Sequence, residues 1–199
     1  MILHTKYFEI LKEFCGDYTK QIHGRALVDK INFSQKGIAL ALQDLEKERI
    51  LQSKDVGNLR LYSLNIQYLY LKDILAMIEL HQKNIFLRKH LMFDYLFKQS
   101  DNRIVGIFGS YAKNNYTKHS DIDIFVVGKR GAIDYEALGK IVNLPVSVKY
   151  FSEKEWKDLL RRKNTLMREI VANHVLIFGA ERFVNMTWCD FYGFDKLVF

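Results

Sequence analysis

The sequence predicts an α+β chain: a helical N-terminal segment closed by a β-hairpin, a helical connector, and a C-terminal mixed β-sheet flanked by helices. Three observations carry this reading. Apolar residues recur at helical spacing three times before residue 50, then give way to two strand-like runs around a Gly-containing turn. Residues 66–100 contain neither Gly nor Pro. Beyond residue 104, short β-branched and aromatic runs alternate with helical patterns, as strands and their covering helices do.

The 199 residues are 49% apolar, enough for a substantial core in one large domain or two small ones. No apolar run reaches membrane-spanning length, and Met1-Ile2-Leu3-His4 lacks a signal peptide's apolar core. The expected location is therefore cytoplasmic, with no membrane partner. Cys15 and Cys189 have no CxxC or Cys/His spacing around them, which argues against a disulfide framework or a metal knuckle. The formal net charge of +7 suits a polyanionic partner, yet residues 1–65, 66–103 and 104–199 carry +2, +2 and +3, so no segment is a basic tail.

In chain order, Tyr7, Ile10, Leu11 and Phe14 mark an amphipathic helix that should stop near Gly16-Asp17. A short second helix is expected from Gly24 to Ile31. Ser34 is a suitable N-cap for a third, whose stripe is Ile38, Ala41, Leu42 and Leu45 and whose end falls near Arg49. Ile50-Leu51-Gln52 and Leu59 to Leu64 read as two strands around a turn at Asp55-Val56-Gly57-Asn58.

Three helices followed by a hairpin, with the phrase Leu42-x-x-Leu45-Glu46-x-x-x-Ile50-Leu51, make residues 1–65 resemble the winged helix-turn-helix domain of transcription regulators. The resemblance implies duplex DNA as partner. It places Ser34, Gln35, Lys36, Ala39 and Gln43 on the helix that enters the major groove, and Arg60 on the wing near a phosphate. The helix is nearly neutral, because Lys36, Lys47 and Arg49 are matched by Asp44, Glu46 and Glu48. Phosphate neutralisation supplies most non-specific affinity, so a winged helix used for protein contacts or dimerisation stays open as the alternative.

Residues 66–100 read as a helical connector packed on both neighbours. Leu71, Ile74, Leu75 and Ile78 mark one helix, and Phe86, Leu87, Leu91, Tyr95 and Leu96 a second. Its aromatics suit core or homodimer contacts. His81 and His90 lie nine apart, which is not the spacing of a helical metal pair.

Residues 101–199 hold the stretch that carries chemistry, Ile104 to Val127. Ile104, Val105, Ile107 and Phe108 form a buried strand that breaks at Gly109-Ser110 and opens a short helix, where free N–H groups and the Ser110 hydroxyl can meet a phosphate. Asp121 and Asp123 lie two apart on the next strand and must share a face. Paired carboxylates repel unless a cation separates them, and an all-oxygen site suits Mg²⁺ holding nucleotide phosphates.

Gly109-Ser110-x-Ala112-Lys113-Asn114 followed by Ser120-Asp121-x-Asp123 resembles the signature of minimal nucleotidyltransferases of the DNA polymerase beta superfamily. That resemblance implies a nucleotidyltransferase fold, an NTP substrate and Mg²⁺. It makes Asp121 and Asp123 the catalytic and metal-binding pair, and places Gly109, Ser110, Lys113 and Ser120 on the nucleotide. Asn114 stands where the family usually has Gly, a mild departure because Asn tolerates the left-handed conformation best among non-glycine residues.

After this motif, Asp134 to Ile141 should be a helix, Pro145 to Phe151 a strand beside the Asp-bearing one, and Ser152-Glu153-Lys154-Glu155 a capping box for the next helix. Residues 165–173 read as helical, Val175 to Phe178 as brief and apolar, and Trp188 and Phe191 as core. Competent members of the superfamily place a third acid on the strand at 145–151, and here there is none. Alternation turns Ser147 and Lys149 toward the paired Asp, with Ser147 at the position of the missing carboxylate, and Asp134 and Glu136 could substitute only if their helix reached the site. Two functions follow. One is a Mg-dependent enzyme that transfers a nucleoside monophosphate to an acceptor such as a protein. The other is a DNA-binding regulator with a vestigial or nucleotide-sensing domain.

Overall fold

The computed structural model describes residues 5–131 and 133–197, so Met1 to His4 lie outside the described residues. The chain divides into two units, residues 1–78 and 79–199.

In the first unit, α1 (Thr5–Lys12) buries Ile10 and Leu11, with Phe14 sealed in the turn that follows. A two-residue strand β1 (Ile22–His23) precedes α2 (Gly24–Val28). Ser34 caps α3 (Gln35–Lys47) by accepting the Gly37 N–H at 3.1 Å, and Ile38, Ala41, Leu42 and Leu45 form its buried stripe. Strands β2 (Leu51–Val56) and β3 (Leu59–Leu64) pair antiparallel, and the sheet order is β1-β3-β2. The hairpin is tighter than the four-residue turn expected. β2 runs on through Val56, and Gly57 takes φ 58° in a two-residue loop with Asn58.

The connector holds one long helix where two were expected, α4 (Leu71–Lys89), and the unit boundary falls within it after Ile78. Nothing between Leu71 and Lys89 breaks a helix, so Phe86 and Leu87 belong to its last turns. His90 ends it by leaving helical geometry (φ −127°, ψ 62°), and a 3₁₀ turn at Leu91–Phe93 replaces the second helix.

The second unit is built on a mixed four-stranded sheet of order β6-β5-β4-β7. β4 (Ile104–Phe108) leads through the single helical turn α5 (Gly109–Ala112) to β5 (Ile122–Val127), which returns antiparallel to it. Asp134 caps α6 (Tyr135–Ile141), and β6 (Val146–Phe151) then lies parallel to β5. Ser152 caps α7 (Glu153–Arg162), Asn164 caps α8 (Thr165–Ala172), and β7 (Val175–Phe178) pairs antiparallel with β4. α9 (Ala180–Met186), a π-helical turn at Thr187–Tyr192 and a 3₁₀ turn at Phe194–Leu197 are the last described elements.

Both faces of the sheet are covered, which is why β4 is buried along its whole length and reads as an unbroken apolar run. One face places Val105, Ile107, Ile122, Ile124 and Val126 against Phe93, Leu96 and Tyr135. The other places Ile104, Phe108, Phe125 and Val127 against Trp156, Leu160, Met167, Ile170 and Phe183. Among the described residues, no helix is long and apolar enough to cross a membrane.

Candidate functional site

Residues at the ends of β4, β5 and β6 and on α8 converge at one place. Phe108 is extended (φ −135°, ψ −168°), and Gly109 then takes φ 70° to turn the chain into α5. Phe108 is the register partner of Asp123, so the turn lies against that carboxylate. A Cβ on Gly109 would stand 2.4 Å from Asp123 Oδ2. Only glycine allows both the backbone conformation and this approach.

Past α5, Asn114 occupies the left-handed region at φ 55°, the conformation the glycine of the motif would supply. Tyr111 and Tyr116 stack with centroids 4.3 Å apart and planes within 6°, and His90 packs edge-on against both. The loop closes on Ser120, whose Oγ accepts the Thr117 N–H at 2.8 Å while its own N–H donates to Thr117 O at 3.1 Å. Ser120 thus shapes the approach to Asp121.

Asp121 is exposed just before β5, and Asp123 is half-buried one pleat further on. Burial raises the Asp123 carboxyl above its ordinary pKa; the like charge of Asp121 adds to this, Lys149 opposes it, and Glu169 adds a smaller push. Asp123 and Ser147 are register partners across the parallel β5–β6 ladder, so Ser147 shares the carboxylate's side of the sheet. Val146, Val148 and Tyr150 pack on the opposite side.

Neither acid of α6 reaches this side. Asp134 accepts the Ala137 N–H at 3.0 Å as the helix cap, and Glu136 accepts the Val148 N–H at 3.2 Å on a helix whose Tyr135 and Leu138 belong to the other core face. Glu169 is the acid that sequence reasoning missed. Its Oε1 lies 2.6 Å from Lys113 Nζ, across 56 residues of chain. The only signal was its place on the outward side of a helix whose inner residues are Met167, Ile170 and Val171. Among the described residues, no three His, Cys, Asp or Glu side chains stand close enough to hold a metal by themselves.

The first unit gathers some of the residues assigned to DNA. Gln35, Lys36, Ala39 and Gln43 are exposed on α3, while the Ser34 hydroxyl is engaged as the cap. A cavity of about 370 Å³ brings Gln35 and Ala39 together with His23, Arg25, Tyr62 and Arg60. Arg60 does not project free from the hairpin: its Nη2 lies 3.0 Å from both oxygens of Glu46, and its Nε donates to Ser53 Oγ at 2.9 Å. Counting charges could not reveal this pairing.

The profile of the family described as "Polymerase beta, Nucleotidyltransferase" matches residues 91–183, a span that holds every side chain of the site in the second unit. A Methanocaldococcus jannaschii protein titled "Putative protein adenylyltransferase" is 39% identical over 98 residues, covering 48% of this chain and 70% of its own length. The chain belongs to the polymerase beta nucleotidyltransferase family. No solved structure matches it. In this family member the motif residues 109–123 run from α5 through the following loop into the first two residues of β5, and residues 1–78 lie outside the matched span.

Proposed function

We propose that the second unit binds a nucleoside triphosphate with Mg²⁺ and transfers its nucleoside monophosphate to a hydroxyl group, with a protein as the acceptor class. The observation that carries this is the seating of Asp123 against Gly109, which puts a carboxylate pair beside a turn whose N–H groups can receive a phosphate. The family as a whole implies a divalent metal. Asp121 and Asp123 fit one, since they offer hard oxygen donors and the space beside Asp123 Oδ2 is kept open by the absence of a Cβ on Gly109. When bound, such an ion would neutralise charge on the triphosphate and on the paired carboxylates. Gly109, Ser110 and Lys113 would orient the phosphates, and Ser120 would hold the loop that presents Asp121. The name of the Methanocaldococcus jannaschii relative, "Putative protein adenylyltransferase", supports an adenylate as the group moved and a protein as its acceptor.

A second reading concerns residues 1–65, with 66–100 as connector and 101–199 as the nucleotidyltransferase domain. The order α1, α2, α3, hairpin, with β1 completing a small sheet, supports a winged helix-turn-helix. In that reading the protein is a DNA-binding regulator in which Ser34, Gln35, Lys36, Gln43 and Arg60 meet duplex DNA and the nucleotide site senses rather than transfers. Exposed Leu91, Met92 and Tyr95 support homodimer contacts, and a cytoplasmic location accords with either reading. The test is a transfer assay with NTP labelled at the α-phosphate and Mg²⁺, using cell lysate as acceptor. The enzyme reading expects label in protein that disappears in Asp121→Ala/Asp123→Ala. Label retained by that variant refutes it.

A further inference from the structure

In a transfer of this kind the acceptor hydroxyl must lose its proton as its oxygen attacks phosphorus, and the strand that should carry the acid for this step has Ser147 beside Asp123. The neighbouring acids are committed elsewhere. Asp134 caps α6, Glu136 holds the Val148 N–H, and Glu153 is paired with Arg182. Glu169 is also paired, but with a residue of the motif itself. It enters from α8, whose Met167 and Ile170 pack on the side of the sheet that Asp123 occupies. Its backbone is fixed, because the Asn164 side chain caps α8 through the Met167 N–H at 2.8 Å and Met167, Ile170 and Val171 are buried beneath it. Its side chain remains about one-third exposed, at 36%, so an acceptor group can reach it.

Among the described residues the group paired with the Glu169 carboxylate is Lys113, at 2.6 Å, the C-cap of the helical turn that Gly109 and Ser110 open. A triphosphate seated on that turn carries several negative charges and would compete for the same ammonium group. Building on the nucleotide-binding reading above, we infer that Glu169 supplies the carboxylate absent at Ser147, and that the Lys113–Glu169 pair is a partner exchange coupling nucleotide binding to release of this acid. Lys113 passes from Glu169 to the phosphates, and Glu169 then faces the acceptor. In the transfer step the acceptor oxygen forms a bond to the α-phosphorus and its proton passes to Glu169. The bond from that phosphorus to the bridging oxygen breaks, and pyrophosphate leaves with the electron pair.

The test uses the full chain with calorimetry of ATP–Mg²⁺ binding beside the labelled transfer assay. Glu169→Gln should cut transfer by about 10²-fold or more, the scale of general-base assistance. It should also raise ATP affinity by about two- to fivefold, since an exposed ion pair of this kind no longer has to be broken. That gain should vanish when Lys113→Ala is added. Ser147→Asp in the Glu169→Gln background should recover at least tenfold in transfer. Wild-type turnover in Glu169→Gln overturns the inference. So does a loss of transfer matched by an equal loss of ATP affinity, which would make Glu169 a binding residue only. A wild type that binds ATP without transferring it also overturns it and leaves nucleotide binding standing, whereas absence of ATP binding in every form removes the underlying reading.

Discussion

Gly109→Ala separates the two demands that the site places on one residue, because the chain contains its own control. Gly109 and Gly193 both take φ 70°, but a Cβ on Gly193 meets nothing within 4 Å, whereas one on Gly109 meets Asp123 Oδ2 at 2.4 Å. An alanine in the left-handed region costs roughly 1–2 kcal/mol, part of which is offset by about 0.4–1 kcal/mol from a stiffer unfolded chain. Gly193→Ala should therefore lose about 1 kcal/mol and lower Tm by about 2–4 °C, with ATP–Mg²⁺ affinity unchanged. Gly109→Ala bears the same strain and must also displace the carboxylate by about 1 Å to regain ordinary contact distance. Turning that side chain off its rotamer adds about 0.5–1.5 kcal/mol. A shift of this size at a reacting centre costs on the order of 10²-fold in transfer rate, and it also moves a carboxylate away from where the ATP–Mg²⁺ complex would meet it. Thermal unfolding and calorimetry on both variants make the comparison, and equal ATP affinity in Gly109→Ala and Gly193→Ala would refute the reasoning.

The remaining predictions concern charge. The folded state raises the Asp123 pKa, so ionising this group costs stability as pH rises from the ordinary carboxylate range through the raised value; Asp123→Asn should thus raise Tm at neutral pH without Mg²⁺ while abolishing Mg²⁺-dependent ATP binding, and a lower Tm would contradict the assigned cause. Glu46→Gln should free Arg60 from its 3.0 Å contacts, raise duplex-DNA affinity at low salt and steepen the salt slope by about one phosphate contact, while superimposable isotherms would count against the wing reading. His174 is buried 3.3 Å from Glu79; burial alone would lower its pKa, and the Glu79 carboxylate outweighs that and raises it. Glu79→Ala should destabilise the chain by about 3–5 kcal/mol, and the difference should shrink as pH rises through the raised His174 value, where the pair's contribution is lost. Denaturant titrations at mildly acidic and alkaline pH check both size and direction.

What the sequence made legible was local and periodic. Glycine chemistry located the β4–α5 turn, the tolerance of Asn for left-handed geometry accounted for Asn114 at φ 55°, and the period of two set Ser147 rather than Val148 beside Asp123. Where physical control passed to partners distant in the chain, reading along it failed. Glu169 meets Lys113 across 56 residues, and no spacing rule reaches that far. Arg60 could be counted as a positive charge but not matched to Glu46, since that depends on how the hairpin lies against α3. The two-residue strand at Ile22–His23 is too short to show any period. The connector was misdivided for a different reason: a stripe of apolar residues marks a helix but not whether it stops, and the end came from His90 turning into the aromatic cluster of Phe86, Phe93, Tyr111 and Tyr116.

The central claim is that a triphosphate and Mg²⁺ are held together by the Gly109 turn and the paired carboxylates. Calorimetric titration of ATP into the purified chain, with Mg²⁺ and with a chelator, tests it most directly when repeated on Asp121→Ala/Asp123→Ala with the fold of the variant verified by thermal unfolding. The account predicts saturable binding that needs Mg²⁺ and is lost in the folded double variant. Equal affinity with and without the two carboxylates, or with and without Mg²⁺, would contradict it.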